Sequence, residues 1–133
     1  MFLNTAIVEQ FRAPHGPLGL LAGHIMANRP SNRQRIAWTL DLLALEPHHR
    51  LLEIGCGPGV ALAACAAIIS QGQAHGIDHS AVMVHQARKR LAREVGPGRV
   101  HVQASDLESF TVAPPLYDRV FSLNVIQFLP NIE

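Results

Sequence analysis

Leu51-Leu52-Glu53-Ile54-Gly55-Cys56-Gly57-Pro58-Gly59 decides how this chain is read. A short apolar run from Arg50 to Ile54 ends in a turn with three glycines and passes directly into the apolar, alanine-rich stretch Val60 to Ser70. That pattern is strand, tight turn, helix. Glycine admits backbone angles and a closeness of approach that side chains forbid. The helix behind it opens with amides that have no intrahelical partner. In a doubly wound sheet, the crevice beyond the strand ends is where ligands sit. The spacing then narrows the ligand. A dinucleotide fingerprint, G-x-G-x-x-G, needs its third glycine at position 60, where this chain has Val60 and places Gly59 one residue early. Pro58 also stiffens the turn. The loop is therefore expected to seat a nucleoside without phosphates rather than a pyrophosphate.

Downstream, Ala74 to Ile77 reads as a second strand ending at Asp78. Ser80 is placed to cap a helix over Ala81 to Val95, in which Val84, Ala87, Arg88, Leu91, Ala92 and Val95 recur at helical spacing. Gly96-Pro97-Gly98 ends it. Val100, Val102 and Ala104 alternate with polar residues and give a third strand. Asp106 to Phe110 is a loop or short turn, Pro114-Pro115 a rigid lead-in, and Tyr117 to Leu123 a fourth strand. Val125 to Leu129 begins a further helix, which Pro130 stops or bends. Upstream, Pro30 and Ser31-Asn32 start a helix with Ile36, Leu40 and Leu43 on its inner face, broadened by Trp38 and Leu42, and closed near Leu45 or Glu46 by Pro47. Before it, Ile7, Val8 and Phe11 suit one side of a short helix. Pro14, Gly16, Pro17, Gly19 and Gly23 then read as a loop whose Leu18, Leu20 and Leu21 pack on something. Residues 1–30 are expected to form a lid or substrate-side segment, and 31–133 the ligand-binding domain. Strands separated by amphipathic helices imply right-handed crossovers and a parallel sheet with helices on both faces, an α/β fold.

Composition sets bounds. The 133 residues make one domain with 48% hydrophobic residues, enough for a core built on Leu, Ile, Val and Ala, since aromatics are only 5%. A net charge of +1 supplies no field for nucleic acid. Arg88, Lys89, Arg90 and Arg93 read as the solvated face of one helix. Cys56 and Cys65 are too few for a disulfide framework, show no zinc spacing, and read as small buried thiols. The start lacks a secretory pattern, and the longest strongly apolar stretch, Val60 to Ile69, is too short to span a bilayer. A cytoplasmic setting without membrane contact is expected, and no metal site.

Two strand-end acids complete the site. A carboxylate at Asp78 can accept from two ribose hydroxyls and would repel a 2′-phosphate; its plainer reading is a solvated strand end. Asp106 can accept from the exocyclic amine of an adenine, with the Leu107 amide on a ring nitrogen and its side chain on the ring face; otherwise Asp106 caps a turn. Glu53, beneath the loop, can accept from loop amides, face a ligand ammonium, or be structural. Of the eight histidines, His24 and His79 alone are placed to border such a cleft.

LLEIGCGPG, GIDHS followed by Met83, ASDLESF and YDRVFSLNVIQFLP resemble, in order and spacing, the motifs of class I S-adenosylmethionine (SAM)-dependent methyltransferases, nearest their small-molecule branch, which includes ubiquinone and menaquinone biosynthesis enzymes. The resemblance covers roughly residues 34–130. It implies SAM as cofactor, a small organic methyl acceptor, and these roles: Glu53, Gly55, Cys56, Gly57 and Gly59 shape the pocket for the amino-acid part of SAM; Asp78 takes the ribose; His79 and Met83 border the adenine; Asp106 and Leu107 hold its edge and face; Asn124 offers a main-chain carbonyl to the methionine ammonium. Gln127 and Phe128 would face the transferred methyl, and Gln127 departs from the histidine common in the family at or beside that place. No catalytic side chain is implied, because methyl transfer rests mainly on alignment. The family's seven-stranded sheet runs 3-2-1-4-5-7-6. This chain supplies 3-2-1-4, so the fold is expected to be truncated after the fourth strand. That strand, with Val120, Phe121 and Leu123, becomes an edge prone to self-association or element swapping. Two other readings compete: a non-catalytic SAM-binding or assembly module, and an NAD-dependent oxidoreductase, which the glycine spacing disfavours.

Overall fold

The computed structural model describes residues 15–123. Its elements run α1 (Gly16–Asn28), α2 (Pro30–Leu43), β1 (Arg50–Ile54), α3 (Val60–Ile68), β2 (Gln73–Asp78), α4 (Ala81–Arg90), α5 (Ala92–Val95), β3 (Val100–Ala104) and β4 (Arg119–Ser122). The four strands form one sheet in the order β3-β2-β1-β4, every pair parallel.

Register separates the two faces. Leu51 sits beside Ala74 and Ala74 beside Val100, while Glu53 sits beside Gly76 and Gly76 beside Val102. This face meets α3 and α4 through Leu62, Cys65, Ala66, Val84, Ala87 and Leu91, all buried. The opposite face carries Arg50, Leu52, Ile54, Gln73, His75, Ile77, His101 and Gln103, because side chains alternate along a strand. It is exposed at His101, Gln103 and, on β4, Val120. Leu51, Leu62 and Ile69 are wholly inaccessible to solvent, and burying each such side chain is worth roughly 1.5–3 kcal/mol.

Arginines meet main-chain carbonyls along edge strand β3 and at helix ends. Arg88 gives Nε and Nη2 to the Val102 oxygen, at 2.8 and 2.6 Å. Arg99 reaches the Ala66 and Ile69 oxygens at the end of α3. Arg119 donates to the Leu43 oxygen at the end of α2.

Three expectations need correction. Residues 16–28 form a helix, not a loop: Pro17 stands in its first turn, where its missing N–H costs nothing. Gly19 is buried, and Gln86 of α4 donates to the Leu20 oxygen, so the helix is held by packing despite its glycines. Trp38 and Leu42 do not broaden the inner face of α2; they are 64% and 65% exposed. At 3.6 residues per turn they lie about 200° and 240° round the helix from the buried Ile36. The single helix expected over 81–95 breaks at Leu91, whose φ of −101° and ψ of 19° leave the helical region. On β4, Val120 is 53% exposed while Phe121 packs against the core, and among the described residues β4 has one strand partner, β1.

Candidate functional site

The loop after β1 is fixed by backbone bonds. The Gly55 and Cys56 amides both donate to the Ile77 carbonyl, at 2.8 and 3.0 Å, and the Gly59 amide donates to the Cys56 oxygen at 3.0 Å. Gly55, Gly57 and Gly59 have φ of 73°, 53° and 83°, a region where side chains are strained. Two of these glycines do different jobs. A Cβ on Gly59 would lie 2.9 Å from the Ala87 Cβ, so glycine lets the start of α3 seat against α4. A Cβ on Gly57 would meet nothing within 4 Å, so the loop opens outward there.

Asp78 anchors this open point. Its Oδ2 accepts the Gly57 amide at 2.9 Å and its Oδ1 the Ser80 amide at 2.8 Å. Each carboxylate oxygen keeps a second acceptor site. Ser80 in turn accepts the Met83 amide, capping α4. Asp78 is therefore buried and structural as well as being a candidate ligand group. His79 Nδ1 lies 3.9 Å from Asp78 Oδ1, with the ring 43% exposed. Met83 is fully buried.

Glu53 lies beneath the loop on the face packed by α3, and is buried. It accepts the Leu62 amide of α3, not a loop amide. The loop amide of Gly57 goes to Asp78 instead, so of the three readings of Glu53 the bond to loop amides is the one not made. Glu53 Oε2 is buried without a partner among the described residues. Burial above all, and then the Asp78 charge, hold its carboxyl well above the usual carboxylate range; the Leu62 bond opposes them. Burial likewise raises the Cys56 thiol, reinforced by Glu53 and Asp78, and lifts Cys65 to about 12. Both remain protonated thiols at neutral pH and neither is a nucleophile.

The turn after β3 starts one residue beyond a bond between the Ser105 amide and the Asp78 carbonyl, 2.9 Å, which brings the two acidic strand ends side by side. The Asp106 carbonyl accepts the Phe110 amide and the Ser109 hydroxyl. Its carboxyl is exposed and has no hydrogen-bond partner among the described residues. Leu107 is 44% exposed. The His24 side chain and Asn124, Gln127 and Phe128 lie outside the described residues. Sequence reasoning missed the Leu62 amide under Glu53 and Arg90, whose Nε donates to the Pro58 oxygen at 3.0 Å. The first follows from Glu53 facing a helix start; the second had no signal in the sequence.

Two other polar clusters lie apart from the loop. A hollow of about 220 Å³ on the opposite sheet face is lined by Gln73, His75, Gly76, Ile77, His101, Gln103 and Phe110. There burial, then His101 and Arg50, push His75 down to about 4, and its Nδ1 meets the Tyr117 hydroxyl. At the start of β1, Glu46, His48 and His49 gather in metal-ligand fashion. However, His49 Nδ1 accepts the Glu46 amide at 3.0 Å, so the lone pair that a cation would need is engaged by the backbone.

A parallel sheet ordered 3-2-1-4, with a glycine loop after its first strand and acidic residues at or just beyond adjoining strand ends, has the arrangement of a Rossmann-like fold. Residues 52–133 match the family model described as a methyltransferase domain, and the chain belongs to that family. Among curated relatives it is 32% identical over 105 residues to an uncharacterized methyltransferase of Bacillus subtilis, covering 79% of this chain and 55% of that protein. It is 37% identical over 94 residues to the trans-aconitate 2-methyltransferase of Rhodopseudomonas palustris, covering 68% and 34%. The chain thus spans between a third and just over half of these relatives. Two solved structures share the fold. A SAM-dependent methyltransferase from Aquifex aeolicus aligns with a TM-score of 0.63 at 20% identity, covering 81% of this chain and 56% of that one. One from Thiobacillus denitrificans, in complex with S-adenosyl-L-homocysteine, aligns with a TM-score of 0.60 at 24% identity, covering 77% and 39%.

Proposed function

We propose that this chain forms the SAM-binding part of an enzyme that moves a methyl group from SAM to a small organic acceptor. One observation carries the reading: the open space at Gly57, whose amide Asp78 holds, together with the buried Glu53 Oε2 on the same strand end, which has no partner among the described residues. An orphaned buried carboxylate oxygen costs free energy unless a donor meets it, and the ammonium of a methionine is such a donor. The remaining acceptor sites of Asp78 suit ribose hydroxyls, and the unpaired Asp106 carboxyl, with Leu107 beside it, suits the amine edge and face of an adenine. Gly55, Cys56, Gly57 and Gly59 give the floor, His79 and Met83 a flank, and Asn124 a further carbonyl for the ammonium. SAM itself supplies an electrophilic methyl on a sulfonium; the chain's part is to bind, orient and exclude water. No base is assigned. Residues 1–30 are assigned as a lid or a substrate-side segment. The trans-aconitate relatives favour a carboxylic acid as acceptor.

Among the described residues no helix is long and apolar enough to cross a membrane, and a cytoplasmic setting suits the two free buried thiols. The exposed Val120 on a strand with one partner among the described residues favours self-association along β4, which sedimentation velocity tests: a strictly monomeric protein at high micromolar concentration removes it. The cofactor reading is tested by calorimetry with S-adenosylhomocysteine. Micromolar binding that falls at least tenfold in Asp78→Ala supports it. A folded wild-type protein that binds neither S-adenosylhomocysteine nor SAM refutes it.

A further inference from the structure

The glycine loop is tied down at each of its residues, and one tie differs in kind. Gly55, Cys56 and Gly59 use main-chain acceptors, and Gly57 uses the strand-end Asp78. Pro58 has no N–H to give. Its carbonyl accepts instead from the Arg90 guanidinium, 32 residues away in the last turn of α4. The end of α4 favours a cation, which accounts for the charge of Arg90 but not for its direction. It reaches towards the start of α3, where a cation opposes the helix dipole. The bond therefore does not serve as a cap for α3. What it does fix is the orientation of the Pro58–Gly59 peptide, next to the point where Gly59 seats on Ala87.

We infer that Arg90 is a positioning residue for cofactor binding. It holds Pro58 from the α4 side while Asp78 holds Gly57 from the strand side, so the open seat between them keeps its shape. Arg90 itself touches no ligand. This rests on the proposed SAM-binding reading, and two measurements keep the two apart.

The first is amide exchange of the ligand-free protein. Arg90→Ala is expected to speed exchange at the Cys56, Gly57 and Gly59 amides while leaving Leu51, Leu52 and Ile77 as in the wild type. The second is affinity for S-adenosylhomocysteine. Arg90→Ala is expected to weaken it about tenfold, the effect of one charge-assisted hydrogen bond, with the ligand-free melting temperature within a few degrees of wild type. Arg90→Lys, which retains the charge on a flexible stem with a single donating nitrogen in place of the guanidinium fork, is expected to recover part of that loss, and Arg93→Ala to change nothing. If Arg90→Ala does not fold, Arg90→Lys and Arg90→Gln carry the same comparison. Unchanged loop exchange in a folded Arg90 variant overturns the inference. So does faster exchange spread evenly across the sheet, which marks a general structural role. Failure of the wild type to bind S-adenosylhomocysteine removes the cofactor reading, and loop exchange alone then decides whether Arg90 clamps the loop.

Discussion

Replacing Glu53 with Gln is expected to stabilise the ligand-free protein at pH 8 while destroying its cofactor affinity. Glu53 is buried on the core face, its carboxyl meeting the Leu62 amide and its Oε2 without a partner among the described residues. Its folded pKa is raised, chiefly by burial. Between the ordinary carboxyl value and that raised value, the folded chain holds a proton that the unfolded chain has lost. Stability must therefore fall as pH rises through this window, by about 1.4 kcal/mol for each unit separating the two pKa values. Glutamine removes the titration. Its carbonyl still accepts from Leu62, but its NH2 lacks an acceptor at the orphan position, a cost of about 1 kcal/mol. The balance at pH 8 is expected to be a net gain in stability, because the raised pKa of Glu53 penalises the folded wild type there more than the orphaned amide penalises the variant. Below pH 4.5 the titration term vanishes and the cost of the unpaired NH2 remains, so the variant is expected to be about 1 kcal/mol less stable than wild type there. Urea denaturation followed by far-UV circular dichroism, at pH 4.5 and 8, measures it. A Glu53→Gln protein that is less stable than wild type at pH 8, with an unchanged m-value, refutes the account of Glu53 as an uncompensated buried carboxyl. In the same samples S-adenosylhomocysteine binding should be lost, since the amide offers no charge to an ammonium.

The two loop glycines should separate fold from function. Gly59→Ala meets Ala87 and is expected to cost about 2–3 kcal/mol in urea denaturation. Gly57→Ala has room, so it should cost only about 1–2 kcal/mol for its positive φ, yet weaken S-adenosylhomocysteine binding by more than tenfold in calorimetry. Asp78→Asn turns an NH2 towards one of the two amides that the carboxylate accepts, and is expected to lower the urea midpoint by about 1–3 kcal/mol in stability and to abolish binding. His75 gives the opposite pH slope to Glu53. With its pKa lowered to about 4, the unfolded chain binds a proton that the folded chain lacks between pH 4 and 6.5, so stability is lost as pH falls through that range. His75→Gln in a Glu53→Gln background should flatten the urea midpoint across it.

Strand order and loop were legible because they rest on local chemistry. Glycines at 55, 57 and 59 between an apolar strand and an apolar helix leave few backbone solutions, and all three carry positive φ. The first helix was not legible because Pro17, Gly19 and Gly23 are turn residues by propensity; Pro17 is harmless only as the first turn of a helix, and Gly19 is held by burial. Counting Trp38 and Leu42 as inner-face residues took composition for geometry: they are apolar, but on the wrong side of α2. The roles of Arg88 and Arg90 depend on contacts 14 and 32 residues away in sequence, and no spacing rule reaches that far. Strand-end positions for Asp78 and Asp106 could be read from the sequence. That Asp78 also ties the loop to α4 could not, since it needs the Gly57 amide to arrive beside Ser80.

The arginines that reach main-chain carbonyls carry a consequence for how this sequence can drift. The acceptors at Leu43, Pro58, Ile69 and Val102 are peptide oxygens, present whichever side chain occupies those positions. Exchanging a residue there leaves the guanidinium's partner in place, so no matching change at the arginine is demanded. Descendants of this chain should accordingly vary at 43, 58, 69 and 102 without any paired variation at 119, 90, 99 and 88. These contacts would leave no trace in covariation between columns, although each helps to hold the molecule together.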